Sequence, residues 1–341
     1  MDANIVILNV FLFFDKIILL NLGELNLIDM ENNTDKSKAE ELLIKFENQR
    51  KLMMLKWLGL TVIATAIASI VCINMWGGVM ICMIVCGIIS AMAIRSYYNE
   101  KLRNKYKKEV MPQLVASVCT DARYAEDDID TMRICSRKAF AGTRLWRSGE
   151  NDFLASEDCI MGKIGSVKFE FCEVTYGRTK TKLDEGRAKE EKVPLFTGMA
   201  FAADFGRAFV GNTVVSAMAN PAEMKESEIE YKEIKLNSAD YDRMIHTYVT
   251  DEESAKNILL ETVQEEILTL YKTLKETMNE SRLVITFSSS RMLMLIPTFR
   301  DRFEVEIMRD VHKTTTMEDL KAITQMIHIA DVVRHRNCMW E

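Results

Sequence analysis

The sequence predicts an α+β protein: a two-helix transmembrane hairpin followed by a cytoplasmic domain with a mainly antiparallel sheet and flanking helices. Three observations predict it. Between Trp57 and Ile94 no side chain is ionised, as in chain that crosses a bilayer. Beyond that block the apolar period changes to alternation, with Val167, Phe169 and Phe171 separated by Lys168 and Glu170. Strands then come in runs and helices in runs, the order of an α+β domain rather than a doubly wound sheet.

Residues 1–29 fit neither a span nor a secretory leader. Asp15 and Lys16 interrupt the apolar run, and burying them in a bilayer costs about 2.5–3.5 kcal/mol each. No basic residue precedes the run, as a leader requires. The expectation is a non-native or dispensable extension, with Met30 as the start. Residues 30–56 form a cytoplasmic amphipathic helix. Ser37 and Glu40 have capping-box spacing, and Leu42, Leu43, Phe46, Met53 and Met54 lie near one face. The hairpin occupies 57–94, with spans 57–73 and 79–94 joined through Asn74, Trp76, Gly77 and Gly78. Each span is a little short of the usual ~20 residues. Ala64 with Ala68, and Gly87 with Ala91, have small-xxx-small spacing. They serve either packing within the hairpin or contacts in a homo-oligomer.

A basic juxtamembrane helix follows at 95–120. Its Lys101, Arg103, Lys105, Lys107 and Lys108, with Lys51 and Lys56 before the hairpin, place both termini on the cytoplasmic side of the inner membrane. Such a run also attracts anionic lipid, but topology alone accounts for it.

The cytoplasmic α+β domain spans 121–341. Its predicted elements begin with a polar helix near Asp127–Lys138 and a strand at 167–172. An exposed hairpin loop over Arg178–Lys192 precedes strands at Val193–Phe205, Thr213–Met218 and Ile229–Leu236, the last with a bulge. A helix from Asp251 to Glu276 holds Ala255, Ile258, Leu259, Val263, Ile267, Leu270 and Leu274 on one face, with Asp251 as N-cap. A hairpin at Leu283–Phe287 and Met292–Ile296 and a strand at Phe303–Ile307 come next. A final helix from Thr316 turns Leu320, Ile323, Ile327, Ala330 and Val333 inward.

Net charge of −6 and a pI of about 5.5 argue against a nucleic-acid binder. The eight cysteines show no metal-ligand spacing. No carboxylate, histidine or arginine lies inside the spans, which argues against a transporter or channel. Asp204-Phe205-Gly206 spells a kinase triplet without the rest of that signature. Asp204 reads as a turn cap, or with Arg207 as part of a binding site. His328, Asp331 and His335 share a helical face, read as solvated rather than metal-binding. Ser288 to Ser290 read as a loop, and Glu252 with Glu253 as complements to a helix dipole. No catalytic, cofactor-binding or metal residue is predicted, and no cofactor.

Several segments together resemble a bacterial membrane-protein family described only as domain of unknown function 3137 (DUF3137). They start with the juxtamembrane run Tyr106-Lys107-Lys108-Glu109-Val110, then Gly162-Lys163-Ile164-Gly165 and Phe169, Phe171, Glu173 and Val174. The most specific block is Phe196, Gly198, Phe201, Ala203, Asp204 and Phe205, followed by Phe209, Gly211, Thr213 and Val214. Tyr248, Thr250, Asp251, Ala255, Leu259 and Trp340 close it. In that block Gly198 and Gly211 suit close backbone approach or a positive φ. The chain departs from the family at Gly206 and lacks a proline shortly after Leu259. The resemblance spans Lys51 to the C-terminus. It implies a membrane-anchored, cytoplasm-facing protein, associated with small membrane proteins of the LemA family, and brings no activity.

The functional expectation is therefore a binding or scaffold module that recruits a protein partner to the membrane. The partners expected are the lipid bilayer, a protein, for which the resemblance implies a LemA-like membrane protein, and another copy of the chain, but not nucleic acid. The alternatives are a hydrolase or transferase at the membrane face, or a lipid or small-ligand sensor.

Overall fold

The computed structural model describes residues 38–72, 77–118, 121–125, 134–146, 149–184, 187–221, 224, 227, 229–298, 302–311 and 316–337. The expectations for residues 1–29, Met30, Ser37, the turn at Asn74 and Trp76, and Trp340 fall outside them, as does much of the polar stretch after Asp127. The chain divides into two units: Met1–Leu114 with Glu304–Thr314, and Val115–Phe303 with Thr315–Glu341.

The first unit is built on two long helices, α1 (Lys38–Cys72) and α2 (Gly77–Lys105). Glu40 and Glu41 in the first turn of α1, and Arg103 and Lys105 in the last of α2, complement the helix dipoles. The Trp57 indole N–H donates to the Ala91 carbonyl at 3.4 Å, tying the pair together. The predicted amphipathic helix runs without a break into the apolar stretch. Among the described residues no helix is long and apolar enough to cross a membrane. Most side chains between Ala66 and Cys86 lie outside the described set.

After Lys105 the helix widens into a π-helical turn, Tyr106–Val110, before α3 (Met111–Val118). Pro112 has no N–H for the carbonyl one turn back, and its ring crowds that turn, a sufficient cause for local rewinding. The π turn buries Tyr106, Lys107 and Val110, and the Tyr106 ring lies 5.1 Å from that of Phe46. Lys107 thereby reaches Glu304 at 2.9 Å.

The predicted strand Phe303–Ile307 does not form. Side chains, not a ladder, hold the backbone of this segment. Ile307 O accepts from Arg50 and Ile307 N–H donates to Asn99 Oδ1 at 2.9 Å. Val311 N–H donates to Glu47 Oε2 at 3.0 Å, and Glu47 itself is bonded to Arg50 at 2.6 Å.

The second unit holds one nine-stranded sheet in the order β1-β2-β3-β4-β9-β8-β5-β7-β6, with every neighbouring pair antiparallel. Its strands are β1 (Arg123–Ala125), β2 (Asp152–Ile164), β3 (Val167–Asp184), β4 (Arg187–Asp204), β5 (Asn212–Ser216), β6 (Lys232–Ile234), β7 (His246–Val249), β8 (Val284–Ser288) and β9 (Arg291–Pro297). The helices are α4 (Arg137–Gly142), α5 (Ala239–Met244), α6 (Glu252–Ile258), α7 (Glu261–Thr277) and α8 (Thr316–Asn337). One face of the sheet presents Cys172, Val174, Tyr176, Ala200, Ala202, Leu293 and Leu295 to Phe140 and Trp146, from α4 and the chain just after it. Helix α8 packs on β2, β3 and β4, and α7 packs on α8.

Several expectations are corrected here. The exposed loop over Arg178–Lys192 is a paired ribbon, with register running out to Asp184↔Arg187. Thr and Lys alternate there without an apolar face, so periodicity could not show the pairing. Strand β2 went unread because Glu157 and Asp158 interrupt its pattern. They sit at a bulge where Asp158 takes φ 52° and buries its carboxylate against the Tyr124 hydroxyl. The strand expected over Ile229–Leu236 shrinks to β6. The helix expected from Asp251 to Glu276 breaks at Leu259 and Leu260, where Gln264 Nε2 donates to the Leu259 carbonyl at 2.7 Å. In α8 it is Met326 and Ile329 that are buried, while Ile327 is only half-buried. The N-cap at Asp251 forms as expected, accepting from Ser254 N at 2.7 Å.

Candidate functional site

The block around Asp204 is a turn fastened from several sides. Asp204 Oδ1 accepts from Gly206 N at 3.0 Å and from Ser290 Oγ at 2.8 Å, and Oδ2 lies 3.6 Å from Arg291 Nε. Backbone N–H groups of Phe205 and Phe209 donate to Ser290 O and Ser289 O. The Asx-type cap is thus the form this residue takes, and the serine run is its docking partner. Gly198 takes φ 152°, and a Cβ there would stand 2.2 Å from the Ile296 carbonyl. Gly211 takes φ 69°, with Asp251 Cβ 2.9 Å from its would-be Cβ. Both glycines are required by backbone conformation and close approach.

On α8, His328 and His335 are exposed, and Asp331 is engaged by Arg334 at 2.7 Å and by His335 Nδ1 at 3.4 Å. His328 reaches Glu266 at 3.4 Å instead. The fold does not converge these three on one point. Among the described residues no group of His, Cys, Asp or Glu is arranged to hold a metal ion. Glu252 bonds Lys232 and Lys256, each at 2.8 Å, which holds its carboxyl down to about 2.

Two constellations escaped the sequence. Cys135, Cys159 and Cys172 come from a loop and two strands, and all three are fully buried. Cys135 is positioned by Glu170, whose Oε2 accepts from the Ile134 and Cys135 N–H groups at 3.0 and 2.8 Å. Burial, and then contact with the other two thiols, pushes Cys172 well up. The Cys172 thiol is thereby a poor nucleophile in a packed core.

The second constellation is centred on Asp152. Its Oδ2 accepts from the Tyr176 hydroxyl at 2.7 Å and from Gly149 N at 2.9 Å, and Arg178 Nε stands 3.4 Å from Oδ1. Arg137 donates to the Asp152 carbonyl at 2.9 Å. Burial and the carboxylate raise the Tyr176 phenol. Every partner named here is internal, so the group fastens β2 to β3. Only knowledge of the β2–β3 register brings these residues together.

The most exposed apolar surface lies on α1 and α2. Leu52, Leu58, Leu60, Ile63 and Ile67 on the first, and Val85, Ile88, Ile89, Met92 and Tyr97 on the second, face outward, with Met92 65 % and Ile89 60 % exposed. Around Gly87 an added Cβ would meet nothing within 4 Å, so its small size is not consumed by contact between the two helices.

Fold and surfaces define a class: an antiparallel α+β sheet unit joined to a long helical hairpin with an apolar exterior. Residues 194–335, within β4 to α8, match the family described as protein of unknown function (DUF3137), which supports the resemblance read from the sequence. The match begins well after Lys51, where the resemblance in sequence starts. No curated protein matches the chain. Among solved structures, the crystal structure of the mycobacterial trehalose monomycolate transport factor A, TtfA, is similar at 9% identity and a TM-score of 0.32. It covers 65% of this chain and 95% of that one. A likeness of that size carries no argument.

Proposed function

We propose that the chain is a membrane-anchored module, both ends cytoplasmic, whose α+β unit binds a protein partner at the inner membrane. One observation carries it: large aliphatic side chains face outward on both α1 and α2, within a stretch that has no ionised residue. Left in water, each forfeits part of the about 1.5–3 kcal/mol that full burial brings. A bilayer recovers that energy, and the basic residues on both flanks of 57–94 set the orientation. Alkaline extraction of membranes and a reporter fused behind Glu341 test the anchoring. The chain stays with the membrane fraction, and the reporter is labelled only after lysis. Extraction without detergent, or labelling of intact cells, overturns it. In-cell crosslinking with mass spectrometry tests the partner by its recurrent protein neighbour.

The open space beside Gly87 favours one second reading, that this helix face meets a further copy of the chain. Crosslinked dimers lost on Gly87→Leu distinguish it.

A further inference from the structure

Beyond Thr179, β3 and β4 leave the sheet as a two-stranded ribbon. Among the described residues no third strand pairs with 180–184 or 187–196. The register puts Arg178 opposite Val193, Lys180 opposite Glu191 and Lys182 opposite Lys189, so these six share one face. With Arg178 engaged by Asp152 at the base, that face offers three lysines against one carboxylate, Glu191, which lies 3.9 Å from Lys182, and Lys180, Lys182, Lys189 and Glu191 are all exposed. The opposite face, with Thr179, Thr181, Glu190 and Lys192, is balanced, and its Lys192 lies over the Phe153 ring at 5.3 Å. Charge is therefore segregated to one side, inside a chain whose net charge is −6.

We propose that this basic face lies on anionic lipid headgroups. The inference rests on the membrane reading above and names a second contact with the same bilayer. Addition of a partner strand is opposed by Pro194, which has no N–H, and by lysines along the edge. An acidic protein segment would need an apolar anchor to be held specifically, and Val193, half-buried at the base, is the one apolar side chain among those six. A diffuse negative surface needs only charge, so it fits this face better.

The test uses the full chain reconstituted in vesicles of phosphatidylcholine, with or without phosphatidylglycerol. Amine acetylation is read lysine by lysine by mass spectrometry. Lys180, Lys182 and Lys189 are expected to react about five-fold more slowly on the anionic vesicles, the factor that one basic residue gains at such a surface. High salt restores the rate, and Lys232 and Lys256, already paired to Glu252, serve as the reference. Equal rates on the two vesicle types, with the chain firmly inserted, overturn the lipid contact and leave the anchoring intact. Protection produced only by an added oligoglutamate peptide overturns it in favour of an acidic protein partner. A chain that fails to enter the vesicles overturns both readings.

Discussion

Arg302 and Asp319 meet at 2.9 Å with side chains 3% and 0% exposed. Their pairing joins the end of the β9 connection to the first turn of α8. Glu173 on β3 accepts the Arg302 backbone N–H at 3.1 Å, so the same residue is held by strand and helix at once. A pair this dry is costly to leave half-made.

Asp319→Asn is therefore expected to destabilise the sheet unit by about 3–5 kcal/mol, because it removes the carboxylate charge that faces a buried guanidinium. Urea unfolding followed by tryptophan fluorescence measures it. An unchanged midpoint would show that the pair contributes nothing.

Two glycines should respond in opposite ways. Gly198→Ala forces a Cβ to 2.2 Å from a carbonyl at φ 152°, so loss of folded protein or destabilisation of about 2 kcal/mol or more is expected. Gly87→Ala meets nothing within 4 Å on α2 and should gain up to about 1 kcal/mol of helix propensity. Thermal melts of the two variants in one detergent decide the matter.

Acid sensitivity has a specific contributor at the start of α6. The Glu252 carboxyl is held down to about 2 from 4.5 by Lys232 first and Lys256 second. A depressed carboxyl stabilises the fold above its unfolded value, so the contribution is full above about pH 4.5 and lost as pH falls toward about 2. The site is exposed, so salt weakens the effect. Carbonyl-carbon NMR titration of Glu252 should give a low midpoint that rises when both lysines become methionine.

At the alkaline end the sign reverses. Burial raises Tyr231 to about 12 from 10.0, and Tyr176 and Tyr241 move the same way. A raised phenol stabilises the fold fully below its unfolded value near 10, and that stability is lost as pH rises through the folded value. Absorbance at the phenolate band should show these three ionising late and together with unfolding. Smooth titration of every tyrosine near pH 10 would contradict their burial.

The three gathered thiols give a further check. Peptide mapping after alkylation of the folded chain should leave Cys135, Cys159 and Cys172 unmodified until denaturant is added. Early labelling of Cys172 would mean that this core opens.

Much of the fold was legible where the determinant is local. Asp251 before a helical apolar pattern gave the N-cap, Leu283–Ile296 gave the β8–β9 hairpin, and Gly198 with Gly211 were recognised as backbone positions. Reading failed where a pattern is interrupted or absent. Asp158 inside β2 looks like a breaker until Tyr124 is known to meet it. The ribbon at 179–192 has no buried face to alternate toward, so nothing in its period distinguishes it from a loop. The break at Leu259 lacks the proline that would have announced it.

By itself the sequence determined the uncharged helical stretch, the run-wise order of strands and helices, and the resemblance to DUF3137 that the match over 194–335 supports, because each resides in short-range pattern and composition. Only the tertiary structure decided that Cys135, Cys159 and Cys172 share a core, that Asp152 fastens Tyr176, and that Glu47 and Arg50 hold the backbone of 307–311. Those contacts join residues far apart in the chain, and strand register and burial choose them, which no local window of sequence encodes.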